Sequence, residues 1–338
     1  MDLISVIMPT HNAARWVSGT IDSLAAQTYP HFELIVADDG SQDDTVAVVR
    51  RKLANGFGKP WQILELGHNR GPSAARNAGL RAARGSWVQY LDCDDFIAPS
   101  KFELQAAYCR QAAADVAAVY SPWAQCYLDD DQVRVVGKMS QPDMQGRAPV
   151  MCLVGMDRVL QGAALTRRAT LERVGGWDEA LRFWECEELT FRLAKAGRLE
   201  GVPSAAPLYL WRQHRDRTYI GDAAARYQTI PVGLSWIDLV LKALDHRSMA
   251  EAGLSARDRK DILTSTSYWA RELFRVDRAA FRQFLAKARR LDPKIAPAYP
   301  PLIAALSRVV GYEAAESVAD FGQRAKLCLR RLRGRGPS

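Results

Sequence analysis

The stretch Tyr90-Leu91-Asp92-Cys93-Asp94-Asp95 closes an apolar run that begins at Trp87, and it sets three carboxylates within four residues. Carboxylates this close repel one another unless a cation sits among them. Hard divalent cations such as Mn²⁺ or Mg²⁺ take oxygen ligands and bridge carboxylates to phosphates. An apolar strand ending in Asp-x-Asp therefore points to a metal held at the carboxyl edge of a sheet, where open α/β folds take their ligands.

Upstream of this loop the chain alternates strand and helix signals. Ile4 to Met8 is a short β-rich run closed by Pro9, and residues 13–27 read as a helix with Val17, Ile21 and Leu24 on one face. Phe32 to Ala37 is a second strand, followed by Asp38-Asp39-Gly40-Ser41, where Ser41 and Asp44 have the spacing of a capping box. The helix after it carries Val46, Val49 and Leu53 on one side. Trp61 to Leu66 is a third strand leading into Gly71-Pro72, with the proline suited to a first helical turn, and an alanine-rich helix covers about 73–84. The strand 86–91 then delivers the acidic loop. Units of this kind predict an α/β fold with a mostly parallel sheet and helices on both faces.

From residue 116 the pattern changes. Val116 to Leu128, an acidic turn, and Val133 to Met139 read as an antiparallel excursion. Residues 163–201 return to strand, helix, a Gly175-Gly176 turn and a helix near 186–196, and Leu208 to Trp211 is a last strand. Beyond about residue 220 the chain reads as helical, so two regions are expected, 1–220 and 221–338.

The net charge of +8 comes from 46 basic and 38 acidic residues, and much of it is terminal. From Phe321 onward Arg324, Lys326, Arg330, Arg331, Arg333 and Arg335 face no acid and alternate with leucines. Basic amphipathic segments of this type lie on anionic membrane surfaces, so 321–338 is a candidate peripheral membrane contact. No run of about 18 apolar residues exists, and no basic, apolar leader opens the chain. The six cysteines form no C-x-x-C pair. A cytoplasmic protein, peripheral at most to the inner membrane face, is the expectation. No G-x-G-x-x-G follows a strand, which disfavours a dehydrogenase. Pro9-Thr10-His11-Asn12 lacks the glycines of a triphosphate loop, which disfavours a nucleotidyltransferase. No nucleic-acid-binding motif appears.

Several motifs occur in a fixed order: Ser5-Val6-Ile7-Met8-Pro9-Thr10-His11-Asn12, Val36 to Thr45, Asn69-Arg70-Gly71 with Ala75 to Gly79, the Asp92 to Asp95 loop, Gly175-Gly176-Trp177-Asp178-Glu179, Phe183 to Glu188, and Trp211-Arg212-Gln213-His214. Over roughly residues 3–215 this order resembles glycosyltransferase family 2, the inverting nucleotide-sugar enzymes of the GT-A fold. The resemblance implies a GT-A fold, a Rossmann-like and mostly parallel sheet flanked by helices, with the helical region as a C-terminal extension. It implies that Pro9, Thr10, Asn12, Asp38 and Asp39 form the nucleotide pocket. It also implies that Asp92 faces the ribose or the metal, that Asp94 ligates the metal, and that Asp95 supports the sugar or the ligand shell. His214 is a further candidate metal or phosphate contact. His11 stands where the family usually has Tyr. Arg76, at the start of a small-residue helix, is a candidate phosphate ligand, since a guanidinium and a helix N-terminus both favour phosphate.

The family mechanism needs a carboxylate base to deprotonate the acceptor hydroxyl, and the family usually places Glu-Asp in the late motif. This chain has Glu185-Cys186. A neutral thiol is a poor substitute, so the base falls first to Glu185 and then to Glu188, with Trp184 stacking on a sugar face at the acceptor side. The expected activity is metal-dependent transfer of a sugar from a nucleotide-sugar donor, UDP-linked, to a glycan or lipid-linked acceptor. The alternative is a catalytically silent nucleotide-sugar- or glycan-binding protein on the same fold.

Overall fold

The computed structural model describes residues 2–129, 132–154, 159–214, 225–295, 307 and 312–317. The chain forms two compact units, Met1–Cys152 with Asp157–Asp216, and Leu153–Met156 with Arg217–Ser338. The first unit runs β1 (Ile4–Thr10), α1 (Val17–Ala25), β2 (Phe32–Asp38), α2 (Thr45–Ala54), β3 (Trp61–Glu65), α3 (Pro72–Ala82), β4 (Trp87–Tyr90), β5 (Phe96–Ile97), α4 (Lys101–Gln111), β6 (Val116–Tyr120), β7 (Trp123–Asp129), β8 (Gln132–Ser140), β9 (Ala164–Arg167), α5 (Arg168–Arg173), α6 (Glu185–Ala196), β10 (Arg198–Gly201) and β11 (Tyr209–Arg212).

Seven strands form the main sheet in the order β10-β6-β9-β4-β1-β2-β3. β1 pairs in parallel with β2 and β4, β2 with β3, and β6 with β10, while β9 runs antiparallel between β4 and β6. Every residue of β1 and β2 is buried, as parallel strands covered on both faces require. The crossovers bring the ends of β1, β2 and β4 to one edge, so Thr10, Asp38 and Tyr90 lie on neighbouring strands.

A smaller sheet, β5-β11-β7-β8, stands beside it. The expected antiparallel excursion is present as the β7–β8 hairpin, but it starts only at Trp123. Val116–Tyr120 joins the main sheet instead, because Ser121-Pro122 interrupts the run and a proline cannot donate to a ladder. The capping box expected at Ser41 and Asp44 does not form. Ser41 is drawn back to Asp38, and Asp43 accepts the Thr45 N–H at 3.0 Å in its place.

α1 buries Val17, Ile21 and Leu24 as its periodicity predicts. α3 approaches β1 so closely that a Cβ on Gly79 would sit 2.3 Å from Cγ2 of Ile7. One core residue departs from the apolar pattern. Lys101 is fully buried, and its Nζ donates to the side-chain oxygens of Gln89 and Gln105, with no carboxylate as partner. Burial pushes its pKa well below the ordinary 10.5. Between that lowered value and 10.5 the unfolded chain holds a proton that the folded chain lacks. Stability therefore rises with pH, by at most about 1.4 kcal/mol per pH unit. Urea melts at successive pH values below 10.5 are expected to show this rise, and Lys101→Met is expected to flatten it.

The second unit contains α7 (Ala225–Ala243), α8 (Ala256–Val276) and α9 (Arg278–Leu291). Trp236, Ile237 and Leu241 of α7 are buried, Trp236 stacks on Phe284 at 6.3 Å, and Phe274 meets Phe281 edge-on at 5.2 Å. Arg271 and the buried Glu316 pair at 2.9 Å. No described helix is long and apolar enough to cross a membrane. The basic segment 321–338 lies outside the described residues.

Candidate active site

The expected nucleotide-binding residues are mostly walls rather than open contacts. Pro9 and Thr10 are buried at the end of β1, and Thr10 Oγ1 donates to Asp38 at 2.9 Å. Asp38 and Asp39 are each 3% exposed. Asp38 also accepts the Ser41 N–H at 2.9 Å, and Asp39 accepts the N–H groups of Arg70 and Gly71 at 2.8 and 2.7 Å. Both carboxylates thus hold their own loops. Asn12 alone of this group is exposed, in a left-handed conformation (φ 50°), with its Oδ1 accepting from Gln42 N–H. His11 lies beside it, with Nδ1 2.9 Å from the Asp39 carbonyl oxygen.

Arg76 is held between a carboxylate and an indole. It lies within α3, only 6% exposed, with Nη2 donating to Asp92 Oδ1 at 2.8 Å and the guanidinium 4.4 Å from the Trp177 ring. The carboxylate and the indole draw it inward, away from the open helix end. Among the described residues its buried Nε and Nη1 find no acceptor. Asn77 fastens the same corner by accepting the Trp177 N–H and donating to the Trp177 carbonyl, at 2.8 and 2.9 Å.

Against Arg76 lies the start of α6. Trp184 is its N-cap, in a left-handed conformation (φ 65°), and Glu185 is its first residue. Burial raises the Glu185 carboxyl above its ordinary 4.5, while the charge of Arg76 opposes the rise; Glu187 and Asp92 lie within electrostatic range. Cys186 is a neutral thiol, pushed well above its ordinary value by burial. Glu188, the second candidate base, is placed differently. It is buried and gripped by Arg192, with three contacts of 2.6 to 3.0 Å, and Arg192 also donates to the Val174 carbonyl. An ion-paired, inward carboxylate is held from an incoming hydroxyl.

The metal-site candidates are brought together in part. Nε2 of His214 lies 2.7 Å from Oδ2 of Asp94, although the two residues are 120 apart in sequence. Asp92 does not join them. Its carboxylate turns to Arg76, and the described residues contain no group of three His, Cys, Asp or Glu side chains arranged around a common point. One carboxylate and one imidazole still suit Mn²⁺ or Mg²⁺, which bind through one or two carboxylates and complete their shell with substrate phosphates and water. On that donor chemistry the pair fits such an ion.

Asp95 is a clamp. It is 2% exposed, and its carboxylate accepts from the Tyr209 hydroxyl and from the Arg212 N–H at 2.8 Å. It ties the acidic loop to β11, the strand that leads to His214. Asp95→Asn leaves one of two buried donors without an acceptor and is expected to destabilise the first unit by about 1–3 kcal/mol, measured by urea unfolding.

Trp16, Tyr209 and Arg212 were given no role by sequence reasoning. The Trp16 ring lies 4.5 Å from that of His214 and 4.5 Å from the Arg212 guanidinium. Their signal was faint: Trp16 lies four residues past Asn12, and Arg212 sits inside the His214 motif. A cavity of about 890 Å³ beside β10 is lined by none of the expected site residues.

Residues 5–144 match the family Glycosyl transferase family 2. An uncharacterized glycosyltransferase of Haemophilus influenzae is 36% identical over 136 residues, covering 40% of this chain and 53% of that protein. An Escherichia coli UDP-Glc:alpha-D-GlcNAc-diphosphoundecaprenol beta-1,3-glucosyltransferase is 37% identical over 103 residues, 30% of this chain and 39% of that one. The chain thus spans about half the length, or less, of these curated relatives. Among solved structures, Staphylococcus aureus TarS 1–349 superposes with a TM-score of 0.59 at 17% identity, over 95% of this chain and 92% of that chain. A Pyrobaculum calidifontis mannosyltransferase crystallised with GDP-Man and Mn²⁺ gives 0.52 at 19% identity, over 94% and 86%. With the mostly parallel sheet, these matches give the chain a GT-A fold, and its residues 5–144 are similar to glycosyl transferase family 2.

Proposed function

We propose that this chain is a metal-dependent inverting glycosyltransferase. It moves a sugar from a uridine-diphosphate donor to a hydroxyl of a lipid-linked glycan acceptor in cell-surface polysaccharide synthesis. The observation that carries this reading is the gathering on the first unit of a carboxylate–imidazole pair, Asp94 and His214, with Glu185 beside the Arg76–Asp92 ion pair. The E. coli relative, named for a UDP-Glc donor and a diphosphoundecaprenol-linked acceptor, supports the substrate class.

In this mechanism Asp94 and His214 would hold Mn²⁺ or Mg²⁺, which when bound would supply positive charge to the leaving diphosphate. The walls built by Thr10, Asp38 and Asp39 shape the nucleotide end, and exposed Asn12 borders it. Trp184 offers an indole to a sugar face. Glu185 takes the proton from the acceptor hydroxyl, and attack opposite the departing diphosphate inverts the anomeric carbon. A carboxyl whose pKa is raised toward the working pH is a stronger base than an ordinary one. The segment 321–338, rich in arginine, would bring the enzyme to an anionic membrane carrying the acceptor, and loss of vesicle binding on its removal tests that part.

The deciding experiment incubates the full chain with UDP-sugars and a diphospholipid-linked sugar, with Mn²⁺ or with chelator. Metal-dependent release of UDP with a glycosylated product supports the enzyme. Tight donor binding without release under any condition supports the silent binder, the reading favoured by the neutral thiol of Cys186.

A further inference from the structure

The cavity of about 890 Å³ beside β10 belongs wholly to the first unit and has the size of a ligand pocket. Its outer wall is the loop 141–149. Tyr120 pins that loop, donating its hydroxyl to the Pro142 carbonyl at 3.0 Å and accepting the Met144 N–H at 3.3 Å. The inner wall is polar backbone of two kinds. β10 stands at the end of the main sheet, and Arg198 and Val202 turn their N–H groups to Asp115 and Tyr120 on the β6 side. Leu199 and Gly201, which alternate with them, therefore present N–H and C=O groups to the open edge. At the end of α6, Gly197 N–H goes to Leu193 and Arg198 N–H to Asp115, so no helical N–H remains for the carbonyls of Ala194 and Lys195. Tyr108 of α4, 39% exposed, adds an open ring to the same lining.

The charges around this space are paired or scattered. Arg198 is held by Asp115 at 2.8 Å and by Glu200 at 3.0 Å. Lys195 lies 5.6 Å from the Phe191 centroid, and Asp143 and Arg147 bring one charge of each sign. No concentrated charge marks a phosphate or carboxylate site. Neutral donors and acceptors mixed around one aromatic ring match a saccharide, whose hydroxyls both donate and accept and whose ring faces are apolar. An added peptide strand needs a longer ladder than the edge that Leu199 and Gly201 offer.

We infer that this cavity is a saccharide-binding subsite, separate from the reaction centre, which holds an uncharged stretch of the glycan being extended. That the glycan is the one extended rests on the transferase reading above; that a saccharide binds there does not. α6 links the two places. It opens with Glu185 and closes with Ala196, about 16 Å apart at a rise of roughly 1.5 Å per residue. A glycan held at the far end of α6 while its terminal hydroxyl meets Glu185 spans several rings. The subsite thus favours acceptors longer than one sugar, because a chain gripped at one point returns its end to the base at a raised local concentration.

The full chain is tested in chelator, without donor, on an array of neutral and charged microbial glycans, and the parent is compared with Tyr108→Ala and Ala196→Trp. The parent is expected to retain a neutral oligosaccharide. Affinity for that glycan is expected to fall about tenfold in Y108A, which removes the ring, and further in A196W, which fills the cavity, with UDP affinity unchanged in both. The inference is overturned if the parent retains no neutral glycan, or if both variants bind it as the parent does. Retention of charged glycans alone, lost in high salt, also overturns it. Tyr108 is exposed, so Y108A reports even if A196W fails to fold. Glycan and UDP affinities that fall together in Y108A mark a structural role and defeat the inference. A parent that binds glycan in this Tyr108-dependent way but takes no UDP-sugar defeats the donor reading and supports the subsite.

Discussion

Replacing Glu185 by Gln is expected to slow sugar transfer by about 10²–10⁴-fold while donor affinity in Mn²⁺ is unchanged, because general-base help is realised only in the transition state. The argument starts from position. Glu185 is the first residue of α6, presented by the left-handed turn at Trp184, and it lies close enough to Arg76 and Asp92 to feel their charges. Burial raises its pKa, and a base acts only when ionised. The acid limb of kcat/KM is therefore expected to fall off at a pH above 4.5 in the parent and to vanish in E185Q. Glu188→Gln is the control. It breaks the pair with Arg192 and is expected to lower the melting temperature, with transfer per folded molecule retained. A reversal of these two outcomes would return the base to Glu188.

The alternation of strand and helix was legible because it rests on local rules. β1, β2 and α1 each carry enough apolar residues at one period to fix their type, and Pro72 marks the start of α3 within one residue. β6 was misassigned because only tertiary pairing with β9 and β10 tells it from the hairpin strand after Pro122. At the candidate site, sequence order located the right loops but not the directions of their side chains. Asp92, Asp94 and Asp95 lie within four residues yet answer to four partners: Arg76, His214, and for Asp95 both Tyr209 and Arg212. Those partners lie 16, 120 and 114 to 117 residues away, so no local pattern encodes the split. Burial explains the remaining surprises. Arg76 was expected to meet a phosphate and Glu188 to be the second candidate base; each is drawn inward by an opposite charge that sequence spacing reveals only for the Glu188–Arg192 pair.

That division of labour makes Asp94 the residue whose loss should be felt most in donor binding. Asp94→Ala is expected to abolish the coupling between Mn²⁺ and UDP-sugar affinity. Ligand at about a hundred times its dissociation constant stabilises a folded protein by about 2.7 kcal/mol. For a unit of this size that amounts to a rise of roughly 5–10 °C in melting temperature. The parent should show this rise with donor and Mn²⁺ together, and D94A should show it neither with Mn²⁺ nor with Mg²⁺. His214→Asn removes the other member of the pair but leaves the carboxylate, so its shift should shrink rather than disappear. Asp92→Asn should keep most of the metal-dependent rise, because Asp92 is committed to Arg76, and should lower instead the stability of the corner where α3 meets Trp177. If D92N rather than D94A removed the metal dependence, the cation would sit on the Arg76 side of the loop. The pairing of Asp94 with His214 would then be a structural bond only.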